Sequence, residues 1–466
     1  MSLRDPMRPV IHWVSPLPPA ATDIAHYTAR ILPALARHAR VVLWTDADDW
    51  DASLETYAPV QRFDADRLLP SDLQRAARLT GAPEGAQQTM FIHIGNSWVF
   101  HANMLRLARR MSSVVVLHDL AIQELMKDAI TNHLFDGNSY LEEMARWYGP
   151  EGCMAAERVL AETGYAQVLA PRMPGFELAL PAALGVLAHT PMAVDAVRKR
   201  DMMPVHHLEL PFQPGPPPPI RRPKLGPLRL LQFGYIGPNR RLAEILEALA
   251  GLKDKVDFRF DVMGNLWDPI HIQQNITTLG LQEHVHLHGF VSEPVLDAAL
   301  RQAHLVMNLR FPTLGEASGS QLRIWNAGAA AVVRKAGWYA NLPTDTVFHI
   351  PDDNAVEAAA LQTLIRRIAA DRDLIGNVRE AGYAQLLSHH HPEDYARHIT
   401  EIASSMGPAA AQHLYAPALL AGPRSVSRHR WQRHPKYVAW SWQSLPPVLS
   451  CGRALQSDGD KQRKCY

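Results

Sequence analysis

Short apolar runs separated by amphipathic stretches organise most of this chain. In the first half, Val10 to Val14, Arg40 to Trp44, Thr89 to Ile94 and Ser113 to Leu117 read as buried strands. Apolar positions at helical spacing predict helices over Ile24 to Ala36 and Ala102 to Arg110. A helical middle from Ala121 to about Leu169 leads to a further strand over Leu184 to His189. Strands this short and this uniformly apolar suit a parallel sheet covered by helices on both faces.

The segment Pro211 to Pro223 can hold neither a helix nor a central strand, because its prolines lack the backbone donors both need. A linker is therefore placed at residues 213–226. Beyond it the alternation restarts. Strands are expected over Leu228 to Ile236, Asp257 to Met263, Val285 to His288, His304 to Leu309, Ala330 to Val333 and Val347 to Ile350. Helices are expected over Leu242 to Leu252, Ile270 to Gly280, Pro294 to Ala303, Ser318 to Ala327, Ala355 to Ala370 and Tyr395 to Ser405. The fold class is α/β, two doubly wound halves over residues 1–212 and 227–405. Ligands of such sheets sit beyond the strand C-termini, so the cleft between the halves is the expected site.

Residues 406–466 differ in character. No acidic residue occurs from Ile402 to Ser457, while Arg424, Arg428, Arg430, Arg433 and Lys436 interleave with Trp431, Tyr437, Trp440 and Trp442. A poorly ordered tail is one reading. Peripheral contact with an anionic membrane surface is the other.

Composition narrows the class. With 466 residues, two or three domains are favoured. A net charge of +1 argues against a nucleic-acid binder that neutralises many phosphates. Cys153, Cys451 and Cys465 are too few for a disulfide framework and too far apart for a metal cluster. No secretory signal and no long apolar span is read, so a cytoplasmic location is expected, with the tail reaching the inner membrane face in the second reading.

The densest chemistry lies between Asn308 and Ser320. A strand ends, a loop delivers the carboxylate of Glu316, and a helix opens on Ser318, Gly319 and Ser320. Small residues there leave the first-turn N–H groups uncovered, which suits a diphosphate, while Glu316 can accept hydrogen bonds from hydroxyls. A ligand with both features is a nucleotide sugar. Gly234 and Gly237 precede Arg240 and Arg241 at a second helix start, where the backbone can approach a diphosphate and a guanidinium can pair with it. Arg310 is either a second cation for that group or the partner of an acid. His118 and Asp119 end one strand, and Gly95 and Asn96 end its neighbour, placing them on the acceptor side of the cleft. The bland alternatives are a helix-capping Glu316, a solvated Arg240 and a structural His118. The run His389 to His391 reads as a loop, since adjacent positions share no helix face.

These halves and the Glu316 loop resemble the GT-B glycosyltransferases, in particular the retaining glycosyltransferase family 4, over roughly Val10 to Ser405. The segments that carry the likeness to a bacterial branch with a Gly-Glu-x-Ser-Gly donor loop are Phe311 to Gly319, Gly337 to Pro343, Ser15 to Pro19 with Ile24 to Tyr27, Gly95-Asn96, and Leu117 to Leu120. The resemblance implies a GT-B fold of two Rossmann-like domains and transfer of a hexosyl-type sugar from a nucleoside-diphosphate sugar to a hydroxyl of a glycan or lipid-linked acceptor, in glycan or polysaccharide biosynthesis. It also implies retention of configuration, no metal and no cofactor. Glu316, His118 and Arg240 would be catalytic, Gly234, Gly237, Arg310, Ser318, Gly319 and Ser320 would bind the donor, and Asn96 and Asp119 would face the acceptor. Three departures stand out: Ile324 where the second Glu of the Glu-x(7)-Glu motif is expected, Tyr235 in place of an Arg, and Asp23 in place of a Gly. Asp23 must point away from a diphosphate or report altered chemistry. A non-catalytic relative that binds a nucleotide sugar or a protein partner is the competing reading.

Overall fold

The computed structural model describes residues 8–215 and 225–412, with side chains to residue 406. The middle of the proline-rich linker and the basic tail beyond residue 412 lie outside the described residues.

Two parallel sheets form. The first contains β1 (Val10–Val14), β2 (Arg40–Thr45), β3 (Val60–Arg62), β4 (Gln88–Ile94), β5 (Ser113–Leu117), β6 (Ala183–Ala188) and β7 (Val205–His207), in the spatial order β3-β2-β1-β4-β5-β6-β7. The second contains β8 (Leu228–Phe233), β9 (Phe258–Met263), β10 (Val285–Gly289), β11 (Leu305–Met307), β12 (Ala331–Arg334) and β13 (Phe348–Ile350), in the order β10-β9-β8-β11-β12-β13. Each order reverses once, between β1 and β4 and between β8 and β11. A crevice opens at such a reversal because the crossovers leave to opposite faces.

Alternation along each strand supplies two cores per sheet. Val10, Val42, Ile92 and Val115 pack on one face of the first sheet. Ile11, Trp13, Val41, Phe91 and Val114 pack on the other. The second sheet divides likewise, with Leu228, Leu230, Phe260 and Met307 on one face and Leu231, Phe233, Val306 and Val333 on the other.

The last described helix, Pro392–Gln412, corrects the expected boundary of the second half. Its Tyr395, Ala396, Ile399, Ile402, Ala403 and Met406 are buried in the first domain's core, against Trp13, Tyr27 and Leu35. Tyr27 and Tyr395 share a hydroxyl–hydroxyl hydrogen bond of 2.6 Å. The chain thus leaves the second domain and closes the first. At the crossing, Phe212 donates its N–H to the His390 carbonyl at 2.8 Å, and the His390 ring bonds the Leu210 carbonyl at 2.7 Å. His389 ends the helix Leu374–His389 and His390 is buried, so only part of the expected histidine loop is a loop. Among the described residues, no helix is long and apolar enough to cross a membrane.

Candidate functional site

The site is assembled from loops that leave the two reversal points. After β11 the chain runs through Arg310 and Phe311 to Glu316 and enters the helix Gly319–Asn326. Ser318 caps that helix, its Oγ accepting from Gln321 N–H at 3.1 Å. This cap spends the hydroxyl of Ser318, so its part is to set the helix start, where Gly319 and Ser320 supply the remaining first-turn N–H groups. Glu316 is mostly enclosed. Its Oε2 accepts from Leu314 N–H at 2.6 Å and its Oε1 from Arg310 Nη1 at 3.3 Å. A carboxylate has roughly four acceptor positions, so about two remain for hydroxyls.

After β8, Gly234 turns with φ of +100°, a conformation that a side chain would strain, and its missing Cβ would meet open space. The turn Pro238–Arg240 then folds Arg240 inward rather than into solvent. Arg240 is 3% exposed and donates from Nη2 to the Phe233 carbonyl at 3.0 Å, while Gln232 Nε2 donates to its carbonyl at 2.8 Å. The two loops are stitched together where Phe311 N–H donates to the Asn239 carbonyl at 2.9 Å. Farther back, Arg334 stacks 4.1 Å from the Phe311 ring centre while paired with Glu357 and Asp352.

Arg240, Arg310 and Tyr339 each bury a polar atom that no described residue satisfies: both Nε–H groups and the Tyr339 hydroxyl. Burial, followed by the like charge of Arg310, lowers Arg240 to about 10; Tyr339, Asp23 and Glu316 oppose this. For Arg310, burial is outweighed by Tyr339, Glu316, Asp23 and Asp119, which raise it. Both guanidiniums are therefore charged at neutral pH. Asp23 is exposed, and its charge acts on this pair as a counter-charge. Buried donors with nothing to bond are costly unless a ligand supplies acceptors.

The first domain contributes the opposite wall. Asp119 Oδ2 accepts from Asn96 N–H at 2.8 Å. Burial, then repulsion from Glu316, pushes the Asp119 carboxyl up to about 7, partly offset by that N–H and by Arg310. Asn96 does not present a free amide: it donates to Glu124 at 2.8 Å and accepts from Leu125 N–H at 3.2 Å. Its work is to fix the start of the helix Gln123–Thr131. His118 follows β5, its N–H bonded to the Ile94 carbonyl at 2.9 Å and its Nε2 lying 2.9 Å from His93 Nδ1.

The two walls touch. Ala121 N–H donates to the Leu314 carbonyl at 2.9 Å and Thr190 Oγ1 to the Gly315 carbonyl at 3.0 Å. Gly315, at φ of +82°, lies so close to Leu120 that a side chain there would strike it. Glu316, Arg240, Arg310 and Asp119 thus act on one another across a single cleft. Gly237 needs no glycine for space, since an added Cβ would make only ordinary contacts. Ile324 is fully buried in the second domain's core, so a carboxylate at that position would be sealed in apolar surroundings. Sequence reasoning missed Tyr339, Thr190 and His93. Tyr339 lies within the Gly337 to Pro343 element already noted, and Thr190-Pro191 is a helix-start signature, but neither pattern reveals a partner across the cleft.

No family model matches the sequence, and a search of curated proteins finds no match. Solved structures do match. HepE of Anabaena in complex with UDP is 17% identical, with a TM-score of 0.51, covering 85% of this chain and 100% of that one. The same protein in complex with UDP-glucose aligns at 16% identity and a TM-score of 0.50, over 85% and 99% of the two chains. Sucrose-phosphate synthase from Thermosynechococcus elongatus is 15% identical, with a TM-score of 0.54, over 86% and 100%. At these identities the likeness establishes the fold: two Rossmann-like domains in the GT-B arrangement.

Proposed function

We propose that this protein transfers a sugar from a nucleoside-diphosphate sugar to an acceptor hydroxyl. The observation that carries the reading is that two guanidiniums, the buried Arg240 and the partly buried Arg310, act on Glu316 in one cleft. Two fixed cations match the charge of a diphosphate, and a carboxylate with unused acceptor positions matches sugar hydroxyls. UDP and UDP-glucose are the ligands of a protein with the same fold, which makes UDP-glucose the first donor to test.

In this reading the departing diphosphate is held by the charge of Arg240 and Arg310 and by the N–H groups of Gly319 and Ser320, backed by the Gly234 to Gly237 turn. Such preorganised donors are each worth roughly 3 to 4 kcal/mol when charge develops on the leaving group. Glu316 orients the sugar. The acceptor hydroxyl gives up its proton to the leaving phosphate oxygen as the glycosidic bond forms on the same face, which retains configuration without an enzymic nucleophile. Charge neutralisation by arginines makes a metal unnecessary in this scheme, and the acceptor is a glycan or a lipid-linked glycan of polysaccharide biosynthesis. Asp119, at the acceptor wall, is half-protonated near neutrality and can accept from or donate to that hydroxyl.

A binding-only reading is favoured by one observation, the buried Ile324 in place of the motif's second carboxylate. Turnover separates the two. Purified full-length protein is incubated with a panel of UDP- and GDP-sugars and candidate acceptors, and release of the nucleoside diphosphate is followed. Acceptor-dependent release that falls about 10- to 150-fold in Glu316→Ala is expected, the loss of one charge-assisted hydrogen bond of roughly 1.5 to 3 kcal/mol. Tight nucleotide-sugar binding with equal, negligible release by both proteins would leave the binding-only reading.

A further inference from the structure

We infer that His93 fixes the tautomer of His118, so that His118 meets the cleft as a neutral ring N–H donor and not as a base. His93 Nδ1 and His118 Nε2 are 2.9 Å apart, so one of them carries the shared proton. The other nitrogen of His93, Nε2, is buried and has no partner among the described residues. Its ring sits 4.4 Å from the Trp13 ring centre and 5.5 Å from that of Tyr27. A proton on that nitrogen would be a buried N–H with no oxygen or nitrogen to accept it, which folded proteins avoid more strictly than an unfilled acceptor. The proton therefore sits on Nδ1 and is donated to His118. An imidazole whose Nε2 accepts must carry its own proton on Nδ1 if it is neutral. His118 Nδ1 belongs to a partly exposed residue and is not among the sealed, unpartnered atoms.

The surroundings keep the pair neutral. His93 is held well below the ordinary histidine range by burial, then by His189 and His101, and His118 by burial, then by His189, His93 and His101. The groups packed around them are His101 from the helix Trp98–Ala108, His189 after β6, Tyr27 from the helix Asp23–His38 and Tyr395 from the last helix. Tyr27 is hydrogen-bonded to Tyr395, and His189 Nδ1 to the Leu208 carbonyl at 2.9 Å, so neither supplies a counter-charge to His118. With its one lone pair taken by His93, His118 cannot remove a proton from an acceptor. It can donate to a hydroxyl or ring oxygen of the bound sugar. His93 is in this sense a positioning residue, and the inference rests on the cleft being the sugar site only for the identity of that oxygen.

The test is a long-range proton–nitrogen correlation spectrum of deuterated full-length protein labelled with ¹⁵N-histidine, with the His118 signals assigned by their loss in His118→Gln. The wild-type spectrum at pH 7.5 is expected to show His118 as the Nδ1–H tautomer, unchanged from pH 8 to pH 5.5. In His93→Phe it shifts to the Nε2–H form or a mixture. His93→Gln, whose amide can still donate, restores the Nδ1–H form. In the transfer assay, His93→Phe is expected to lower kcat about tenfold with little change in the donor KM, and His93→Gln to recover most of it. An Nε2–H tautomer in wild type, or a His118 signal indifferent to His93→Phe, overturns the inference. The spectrum is recorded without substrate, so an Nδ1–H tautomer in a protein that transfers no sugar would leave this inference standing and remove only the proposed function.

Discussion

Thr190 belongs to the first domain and Gly315 to the second, yet the Thr190 hydroxyl donates to the Gly315 carbonyl at 3.0 Å, one residue before Glu316. The same oxygen caps the helix Pro191–Arg198 by accepting from Ala193 N–H at 3.2 Å. One hydroxyl thus ties a helix start to the loop that aims the carboxylate. Thr190→Val is expected to lower stability by about 0.5–2 kcal/mol through the lost cap. It should also lower kcat/KM for the donor roughly tenfold, about 1.4 kcal/mol of positioning. Thr190→Ser keeps both bonds and should behave as wild type in steady-state kinetics and thermal melts.

Arg240 invites a trade between stability and binding. A buried cation with no carboxylate in direct contact among the described residues is maintained at a cost, and an unbranched apolar side chain of similar length removes that cost. Arg240→Met is expected to melt at the same temperature as wild type or higher. Calorimetric titration with UDP should show at least about tenfold weaker binding, the loss of one charge-assisted contact of roughly 1.5–3 kcal/mol. A Met variant that binds UDP as wild type does would remove Arg240 from the diphosphate site.

Asp119 titrates at about 7 in the folded protein against an ordinary value of 3.8. The protonated form is favoured by folding, so its contribution is fully present below about pH 4 and lost as the pH rises through 7. Asp119→Asn, fixed in the neutral form, should therefore gain stability over wild type at pH 8 and little at pH 4.5. Denaturant midpoints at the two pH values check the sign. If Asp119 also handles the acceptor hydroxyl, the pH dependence of kcat/KM between 6 and 8 should flatten in the same variant.

The buried imidazoles act in the opposite direction. His12, His101 and His189 are each lowered by burial to about 4 from 6.5. Unfolding lets them take protons that the native state refuses, so their stabilising contribution is complete above about pH 6.5 and lost as the pH falls towards 4. Wild type is expected to lose stability steadily over that interval, at up to about 1.4 kcal/mol per pH unit for each such group. His101→Gln should shallow the slope by one group's share, measured by urea unfolding at pH 7.5, 6 and 5.

The central strands were legible because they are unbroken apolar runs: Val10 to Val14 and Ser113 to Leu117 match the observed β1 and β5 residue for residue. The edge strands β3 and β7, read Val-Gln-Arg and Val-His-His, were not, since a three-residue edge exposed on one side carries no period to detect. That Glu316, Arg240 and Arg310 stand in the loops after β8 and β11 was legible from where the apolar runs end. That Arg240 turns inward and that Asp23 serves as its counter-charge were not, because burial of a polar residue depends on what distant segments place over it. The helix near Tyr395 was visible from its apolar stripe, but a stripe does not say which core it will enter.

That last helix has a consequence for how the molecule comes into being. Tyr395 and its neighbours are buried against residues translated more than three hundred and fifty positions earlier, and Tyr27 bonds Tyr395 directly. While the ribosome is still adding the second half, the first half has an apolar groove along its opening helix and no partner to fill it. Maturation of the amino-terminal half must therefore wait until nearly all of the described chain has emerged, and cutting the gene at the proline-rich segment would yield a fragment that seeks a substitute for the missing helix.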